Sequence, residues 1–192
     1  MLRAFPLQSA AFGESDTDEA LVAAAKADIA EFAALYERYL PRVYRYLSAR
    51  AATPEEAADL TQAVFLKAYG GLGKYRTGKV PFAAWLFRIA RNAAIDSHRR
   101  QKPSAPIAAA ELMPSNAAHA PEAVTLQAER WSELRAAVRT LSAEKQELIA
   151  LKYAAGLTAA EIAPLVGRKP EAVKKQLQRT LRELKEIYGE PE

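Results

Sequence analysis

The stretch TAAEIAPLVGRKPEAVKKQLQRTLREL, residues 158–184, predicts two short helices joined by a tight turn. Thr158 followed three residues later by Glu161 is a capping box, in which the hydroxyl and the carboxylate satisfy the free backbone donors of a helix start. Gly167 can adopt the left-handed conformation that ends a helix, and Pro170 suits the first position of the next helix. The stretch therefore indicates a helix-turn-helix.

The second of these helices has one apolar side and one basic side. Helical spacing predicts a core face made of Val173, Leu177, Thr180, Leu181, Leu184 and Tyr188. From Arg168 to Lys185 there are seven Lys or Arg against two Glu. A recognition helix needs such a basic face, because its first turns reach base edges in the major groove while its cations neutralise phosphates. A solvated amphipathic helix is the alternative, but the capped helix and glycine turn before it favour DNA binding.

The amino-acid composition limits the classes of protein to which this chain could belong. A chain of 192 residues with 50% hydrophobic and 26% charged residues is ordinary for a soluble globular protein with one core or two small domains. The net charge of +4 is unevenly spread, since residues 1–60 carry ten acids against six bases and residues 88–102 carry five bases against one acid. This asymmetry predicts different partners for different surfaces.

Several functions are disfavoured by what the sequence lacks. It contains no Cys, which excludes disulfides, thiol catalysis and Cys-based metal sites. No apolar run approaches the roughly 20 residues of a membrane helix, and the N-terminal residues make a poor signal peptide. We therefore expect a soluble, cytoplasmic protein with no membrane insertion.

The hydrophobic pattern divides the chain into two helical parts. Residues 1–15 are expected to be a flexible tail, 16–101 a first domain, 102–121 a Pro- and Ala-rich linker and 122–189 a second domain. No strand pattern occurs. The predicted fold is all-α, with two small helical domains joined by a flexible linker and the helix-turn-helix in the second.

Three helices are predicted in the first domain after a short opening pattern that begins near Asp16. Apolar residues keep a helical period over residues 32–47 straight through Pro41, which favours one kinked helix or two abutting ones. Thr53 and the three residues after it form a complete start signal for a second helix, expected to reach about Tyr69 and to stop at the following glycines. Its core side should comprise Ala57, Leu60, Val64 and Ala68. A strip of mixed polar and apolar residues lies on another arc of this helix. It fits either an ordinary solvated surface or a face that docks a partner.

The third helix follows a basic loop, KYRTGKV at residues 74–80, and is expected to start at Pro81. Its predicted buried face comprises Phe82, Trp85, Leu86, Ile89 and Ala93. Its cations Arg88, Arg91, Arg99 and Arg100 make a basic ridge. Aromatic and basic residues in a loop beside a basic helix are what a single-stranded nucleic-acid site requires, although the aromatic residues fit a core equally well.

With these motifs in place, the sequence resembles a bacterial sigma factor of the extracytoplasmic-function group. DLTQAVFLKAY (residues 59–69) is similar to the family helix that docks on the clamp of the polymerase largest subunit. PFAAWLFRIARNAAIDSHRR (residues 81–100) resembles the helix that meets the minus-10 element. LTAAEIAPLVG followed by AVKKQLQRTLREL resembles the helix-turn-helix that reads the minus-35 element.

The resemblance implies functional residues and partners. For binding of the minus-35 element it implies Arg168, Lys169, Glu171, Ala172, Lys174, Lys175, Gln178 and Arg179. For capture of the minus-10 element it implies Tyr75, Arg76, Thr77, Gly78, Lys79, Arg88, Asn92, Asp96, Arg99 and Arg100. For RNA polymerase it implies Asp59, Gln62, Ala63 and Leu66. The partners implied are core RNA polymerase, promoter DNA and an anti-sigma factor, with no cofactor, no metal and no catalytic residue.

The sequence also departs from the family pattern. Ala63 stands where a Glu is common in the docking helix. Residues 169–172, Lys-Pro-Glu-Ala, replace the usual Ser-x-x-Thr start of the recognition helix, and Gln176 stands where Arg is usual. Because Lys169 is a poor N-cap, the base contacts of relatives cannot be copied here, and an unusual minus-35 preference is predicted.

Two other functions compete with that of an initiation factor. One is an ordinary helix-turn-helix regulator whose first domain senses a ligand or dimerises, but such a domain has no need of the basic block at residues 74–100. The other is an enzyme such as a nuclease, which is disfavoured because His98 and His119 are isolated and no spaced carboxylates or Gly-rich phosphate loop occur.

Overall fold

The structure is a computed structural model that describes residues 15–101 and 133–188. Its first half contains helices α1 (Ser15–Ala27), α2 (Phe32–Ser48), α3 (Pro54–Gly71) and α4 (Phe82–Gln101). Short 3-10 turns at Ile29–Glu31 and Leu72–Lys74 precede α2 and follow α3. The 74–80 loop then leads into α4.

The second half begins with a helical segment, α5, at residues 133–140. Helix α6 (Ala143–Ile149) continues as a π-helical turn (Ala150–Ala154) and is followed by α7 (Ala159–Val166) and α8 (Pro170–Tyr188). No strand occurs within the two described ranges, in agreement with the predicted all-α fold. The predicted tail up to residue 14 and the predicted linker 102–121 lie outside them. So does the helix face that the spacing of Ala123, Gln127 and Trp131 predicts.

Helix α2 runs unbroken through Pro41, so the pattern at residues 32–47 belongs to one helix and not to two. Proline lacks the N–H that would bond to the carbonyl four residues earlier, but Pro41 is exposed, where water can satisfy that carbonyl. The buried side of α2 comprises Phe32, Leu35, Tyr39, Val43, Tyr46 and Leu47. This face is the centre of the first domain, between α1, α3 and α4.

Helix α3 begins as predicted, because the Thr53 hydroxyl accepts a hydrogen bond from the Glu56 N–H at 3.2 Å. Its predicted core side is confirmed, since Ala57, Leu60, Val64 and Ala68 are all buried. The helix ends at Gly71, two residues beyond the predicted Tyr69. The next residue, Leu72, is only 1% exposed and packs in the core.

Helix α4 buries a wider face than predicted. Phe82, Leu86 and Ala93 are buried as expected, while Trp85 and Ile89 are only partly buried. Phe87 was not predicted in the core, yet it is fully buried and its ring lies 5.5 Å from that of Tyr46. Helix α4 packs against α3, α2 and the second domain, so more of its circumference is covered than one core face requires.

In the second domain, the capping box of α7 is present, with Thr158 and Glu161 each bonded to the backbone of the other. Gly167 ends α7 at φ +67°, and Pro170 is the first residue of α8, both as predicted. The core face of α8 is confirmed at Val173, Leu177, Thr180 and Leu184. Leu181, however, is 38% exposed, so its assignment to the core was wrong. It follows Thr180 by one position, about 100° around the helix, outside the stripe that α6 and α7 cover.

The sequence predicts a helix from Ser142 to Tyr153, capped by Ser142 and ended at Gly156, with Leu148, Ile149 and Leu151 on its apolar side. The structure differs from this prediction in two details. Ser142 occupies the N-cap position, but its side chain makes no capping hydrogen bond. Beyond Ile149 the chain forms the π-helical turn, and Gly156 at φ +67° follows it. Leu148, Ile149 and Leu151 are buried as predicted.

The two domains touch directly. Helix α4 lies against α7, and α2 lies against the π-helical turn. The buried side chains of the described residues form one cluster that continues from the first domain into the second.

Candidate functional site

The 74–80 loop is held at its base by Tyr75. The Tyr75 hydroxyl donates a hydrogen bond to the Val80 carbonyl at 2.7 Å, and its ring lies 5.7 Å from that of Phe82 and 5.1 Å from that of Trp85. The side chain is only 6% exposed, and burial, followed by the nearby Glu19 and Asp18, raises the pKa of its hydroxyl. Tyr75 is therefore an anchor of the loop and does not offer an open stacking face.

The exposed part of the loop is its tip. Arg76, Thr77, Gly78 and Lys79 are all exposed. Gly78 has φ +82°, a backbone conformation that L side chains rarely adopt. Two cations and a glycine turn are thus exposed at the tip of a loop whose base is held by Tyr75.

Lys26 in α1 supports this loop and was not predicted. Its ammonium group donates a hydrogen bond to the Tyr75 carbonyl and lies 5.6 Å from the centre of the Tyr75 ring. Lys26 and Tyr75 are 49 positions apart, so no local sequence pattern could reveal the contact.

An exposed stripe runs along α4. It comprises the five predicted residues Arg88, Asn92, Asp96, Arg99 and Arg100, all exposed. At 1.5 Å per residue the stripe is about 18 Å long, the length of roughly five nucleotide steps of one strand of B-form DNA. Arg91 is not part of it, because it turns to the other side and lies 3.5 Å from Glu147. The α4 stripe and the loop tip together present a basic, elongated surface.

The second basic surface is the α8 face. All eight residues predicted there are exposed: Arg168, Lys169, Glu171, Ala172, Lys174, Lys175, Gln178 and Arg179. Three of them have partners that were not predicted, since Glu171 accepts a hydrogen bond from Lys174 at 2.9 Å and Arg168 pairs with Glu144 of α6. Gln176 is half-buried, and its carbonyl accepts from the Thr180 hydroxyl at 2.9 Å.

Lys169 occupies the residue before the first turn of α8. Its carbonyl accepts the first hydrogen bonds of the helix, from Ala172 at 3.0 Å and Val173 at 3.1 Å. Its side chain cannot cap the free N–H groups of that turn, because an ammonium group is only a donor. These N–H groups therefore remain available at an exposed, basic helix start.

The predicted docking strip on α3 comprises Asp59, Gln62, Ala63 and Leu66. The first two are exposed, Ala63 is half-buried, and Leu66 is 72% exposed. Their neighbour Phe65 lies in the core, with its ring 4.7 Å from that of Tyr36. A large aliphatic side chain so exposed beside polar groups is typical of a binding surface.

Two kinds of site are absent from residues 15–101 and 133–188. No group of three His, Cys, Asp or Glu side chains is arranged to hold a metal ion there. None of the helices in these ranges is both long enough and apolar enough to span a membrane.

This geometry defines a helical protein of two domains, with a basic helix-turn-helix in one and a second basic surface in the other. Residues 35–103 match the family model for Sigma-70 region 2, and residues 131–184 match that for Sigma-70, region 4. The chain is 33% identical over 176 residues to the ECF RNA polymerase sigma factor BldN of Streptomyces coelicolor, covering 88% of this chain and 67% of that relative. It is 32% identical over 161 residues to the ECF RNA polymerase sigma factor SigD of Mycobacterium tuberculosis, covering 78% of this chain and 73% of the relative.

The chain belongs to the extracytoplasmic-function sigma factors, the initiation factors that direct RNA polymerase to promoters. The fold agrees with solved structures. CnrH, in complex with the cytosolic domain of CnrY, matches with a TM-score of 0.66 and 22% identity over 90% of this chain and 97% of that one. The sigma factor RpoE of Bartonella quintana, in complex with the anti-sigma factor NepR, matches with a TM-score of 0.61 and 21% identity over 82% of this chain and 96% of that one.

Proposed function

We propose that the basic surfaces of this sigma factor divide promoter recognition between them. The α8 face reads the duplex minus-35 element, while the loop tip and the α4 stripe engage the minus-10 strand as it opens. The observation that carries this division is the exposure of both sets of cations on separate domains. Duplex and single-stranded sites need these different surfaces, a helix for the major groove and a basic groove for a splayed strand.

At the minus-35 element, specificity comes from the first turn of α8. Glu171 can accept a hydrogen bond from a cytosine amino group, and the Ala172 methyl can contact a thymine methyl. Lys174 holds Glu171 in the free chain at 2.9 Å, so this pair must rearrange when the helix enters the groove. The replacement of the usual Ser-x-x-Thr start by residues 169–172 supports an unusual minus-35 preference.

At the minus-10 element, the exposed tip of the loop captures the flipped base. Tyr75 contributes by anchoring the loop rather than by stacking, because its ring is covered by Phe82 and Trp85. Flipping a base costs a few kcal/mol, which contacts at the tip and the cations Arg88, Arg99 and Arg100 offset.

The docking strip on α3 binds the clamp of core RNA polymerase. Leu66 supplies the apolar contact, and Asp59 and Gln62 supply polar ones. Ala63 cannot supply the carboxylate that is common at this position in the family, so the contact relies more heavily on its neighbours.

The two domains comprise residues 16–101 and 122–189, joined by a linker at 102–121 that enters the active-site cleft of the polymerase.

The factor itself has no catalytic activity and needs no cofactor, because all chemistry resides in the polymerase. It acts in the cytoplasm, where bacterial polymerase is found. The anti-sigma partners of the solved relatives support an anti-sigma factor for this chain as well.

Run-off transcription with purified core polymerase on a promoter library tests this function. We expect promoter-specific transcripts only when the chain and the core enzyme are both present, and selected promoters whose minus-35 sequence differs from the common family consensus. Absence of specific transcripts would refute the proposal. Recovery of the common consensus would refute the special role of residues 169–172. Co-migration with core polymerase separates this function from that of an ordinary helix-turn-helix regulator, which binds DNA without it.

A further inference from the structure

Helix α1 is fixed to the core of the first domain close to the loop that precedes α4. Val22 and Ala25, on one side of α1, are only 0% and 1% exposed. About two turns before Lys26, the Asp18 carboxylate accepts a hydrogen bond from the Tyr39 hydroxyl of α2. The backbone that carries Lys26 is therefore held in place, and its side chain extends from a defined position.

Lys26 fixes the peptide at the start of the loop. The N–H of Tyr75 donates to the Leu72 carbonyl at 3.1 Å and ends the 3-10 turn, and the Tyr75 backbone is then extended, at φ −65° and ψ 132°. The Tyr75 carbonyl thus leaves the helical pattern and needs a donor from elsewhere. The Lys26 ammonium group supplies that donor. It also lies 5.6 Å from the centre of the Tyr75 ring, where a cation is attracted to the ring face.

The other end of the loop is fixed through the same tyrosine. The Tyr75 hydroxyl donates to the Val80 carbonyl at 2.7 Å. The exposed tip, residues 76–79, therefore lies between two carbonyls that are both held, one by Lys26 and one by the Tyr75 side chain. Loss of the Lys26 contact would free the peptide between Tyr75 and Arg76, and Arg76 is the first cation of the tip.

We propose that Lys26 is a positioning residue for promoter opening. It orients the tip that captures the minus-10 base and does not itself contact DNA, so α1 takes part in opening although it carries none of the predicted DNA-binding residues. The inference rests on the function proposed above. A positioning residue differs from a phosphate contact in one measurable respect, because its loss changes the extent of opening but not the number of counterions released.

Opening is measured with the full chain, core polymerase and a promoter that carries 2-aminopurine in the minus-10 element, across a series of salt concentrations. Lys26→Met keeps a long flexible side chain but removes the donor, and should lower the ratio of opened to unopened promoter about three- to tenfold at every salt concentration. Lys26→Arg retains a cationic donor and should open the promoter nearly as well as the wild type. Binding of duplex minus-35 DNA by the α8 face should be unchanged in both variants.

Lys79→Met is the contrasting variant, because Lys79 is exposed at the tip itself. It should lower opening and also reduce the slope of log opening against log salt by about 0.7, as expected for the loss of one phosphate contact to a single strand. Lys26→Met should keep the wild-type slope. A reduced slope in Lys26→Met would show that Lys26 contacts a phosphate and would overturn the positioning role, and so would opening equal to that of the wild type.

Nuclear magnetic resonance of the free chain tests the contact without polymerase or DNA. The order parameters of the amides of residues 76–79 should fall in Lys26→Met and recover in Lys26→Arg, while those of α4 stay at wild-type values. An equally ordered tip in Lys26→Met would overturn the proposal even if opening were weaker. Failure of the wild-type chain to open any promoter would instead refute the proposed function, and the order parameters would then decide separately whether Lys26 holds the loop.

Discussion

Among single residues, Tyr75 departs furthest from the role that its residue type suggests. An aromatic side chain in a basic loop suggests base stacking. The Tyr75 ring instead packs against Phe82 and Trp85, and its hydroxyl donates a hydrogen bond to the Val80 carbonyl. Lys26 adds a bond to its carbonyl from α1. The loop is thereby held at its base, which under the proposed function would reduce the entropy lost on capture of a strand.

Removal of the Tyr75 hydroxyl should loosen the loop without disturbing the core. Tyr75→Phe keeps the ring contacts and loses one hydrogen bond worth about 0.5–1.5 kcal/mol, so promoter opening should weaken roughly two- to tenfold. Fluorescence of 2-aminopurine placed in the minus-10 element reports the opening. Tyr44→Phe, the same change at an exposed tyrosine of α2, should behave as wild type. Equal opening by both variants would contradict the anchoring role.

A second residue-scale prediction concerns Lys175 on the α8 face. Lys175→Ala should weaken duplex minus-35 binding and reduce the slope of log affinity against log salt by about 1, because one phosphate contact is lost. Lys67→Ala removes another exposed lysine, from α3, and should leave the slope unchanged. A salt titration of fluorescence anisotropy gives both slopes. If the two variants share the wild-type slope, Lys175 does not contact a phosphate.

At the scale of elements, the turn between α7 and α8 depends on backbone conformation alone. A Cβ at Gly167 would meet nothing within 4 Å, but the residue has φ +67°. Gly167→Ala should therefore cost about 1–2 kcal/mol in the free energy of unfolding through strain rather than through a clash. Gly70→Ala is the matched control, because Gly70 is helical, equally open and should gain about 0.5–1 kcal/mol. Urea unfolding should show a lower free energy of unfolding for Gly167→Ala and a higher one for Gly70→Ala. Changes of the same sign would contradict the dependence of this turn on backbone conformation.

Substitution in the docking strip on α3 should change the affinity for core polymerase without changing the stability of the fold. Leu66 is 72% exposed, so Leu66→Ala should leave the unfolding midpoint almost unchanged. Affinity for core polymerase should nonetheless fall about tenfold, as expected when a well-placed interface residue is truncated. Ile187→Ala, at another exposed aliphatic residue, should leave affinity unchanged. An unchanged dissociation constant for Leu66→Ala in a pull-down titration would exclude this strip as the docking surface.

At the scale of the whole molecule, the shared core and the hydrogen bonds of Glu147 with Tyr46 and Arg50 couple the two domains. Domains linked by a substantial buried interface unfold together, whereas separate domains unfold independently. The wild-type chain should therefore show one calorimetric transition, and Glu147→Gln should show two. Glu144→Gln should keep the single transition. Two transitions already present in the wild type would show that the interface is too weak to couple the domains.

Much of the fold and of the candidate site follows from local sequence. The capping box of Thr158 and Glu161, the left-handed Gly167 and the Thr53 cap each involve groups within three or four positions, so their hydrogen bonds are determined by neighbouring residues. The exposed α4 stripe and α8 face also follow, because a helical period assigns each residue to one side of its helix. These features were predictable without knowledge of the tertiary structure.

Other features depend on how the helices are placed against one another. The burial of Tyr75, the support from Lys26 and the turning of Arg91 toward Glu147 join residues far apart in the chain. Which cations stay exposed and which contact the second domain could not be read from residue type, since arginine does both. The sequence by itself determined the helices, their caps and their basic faces through local hydrogen bonds and periodicity. The tertiary structure alone decided which of those faces are covered, because that depends on long-range packing between helices.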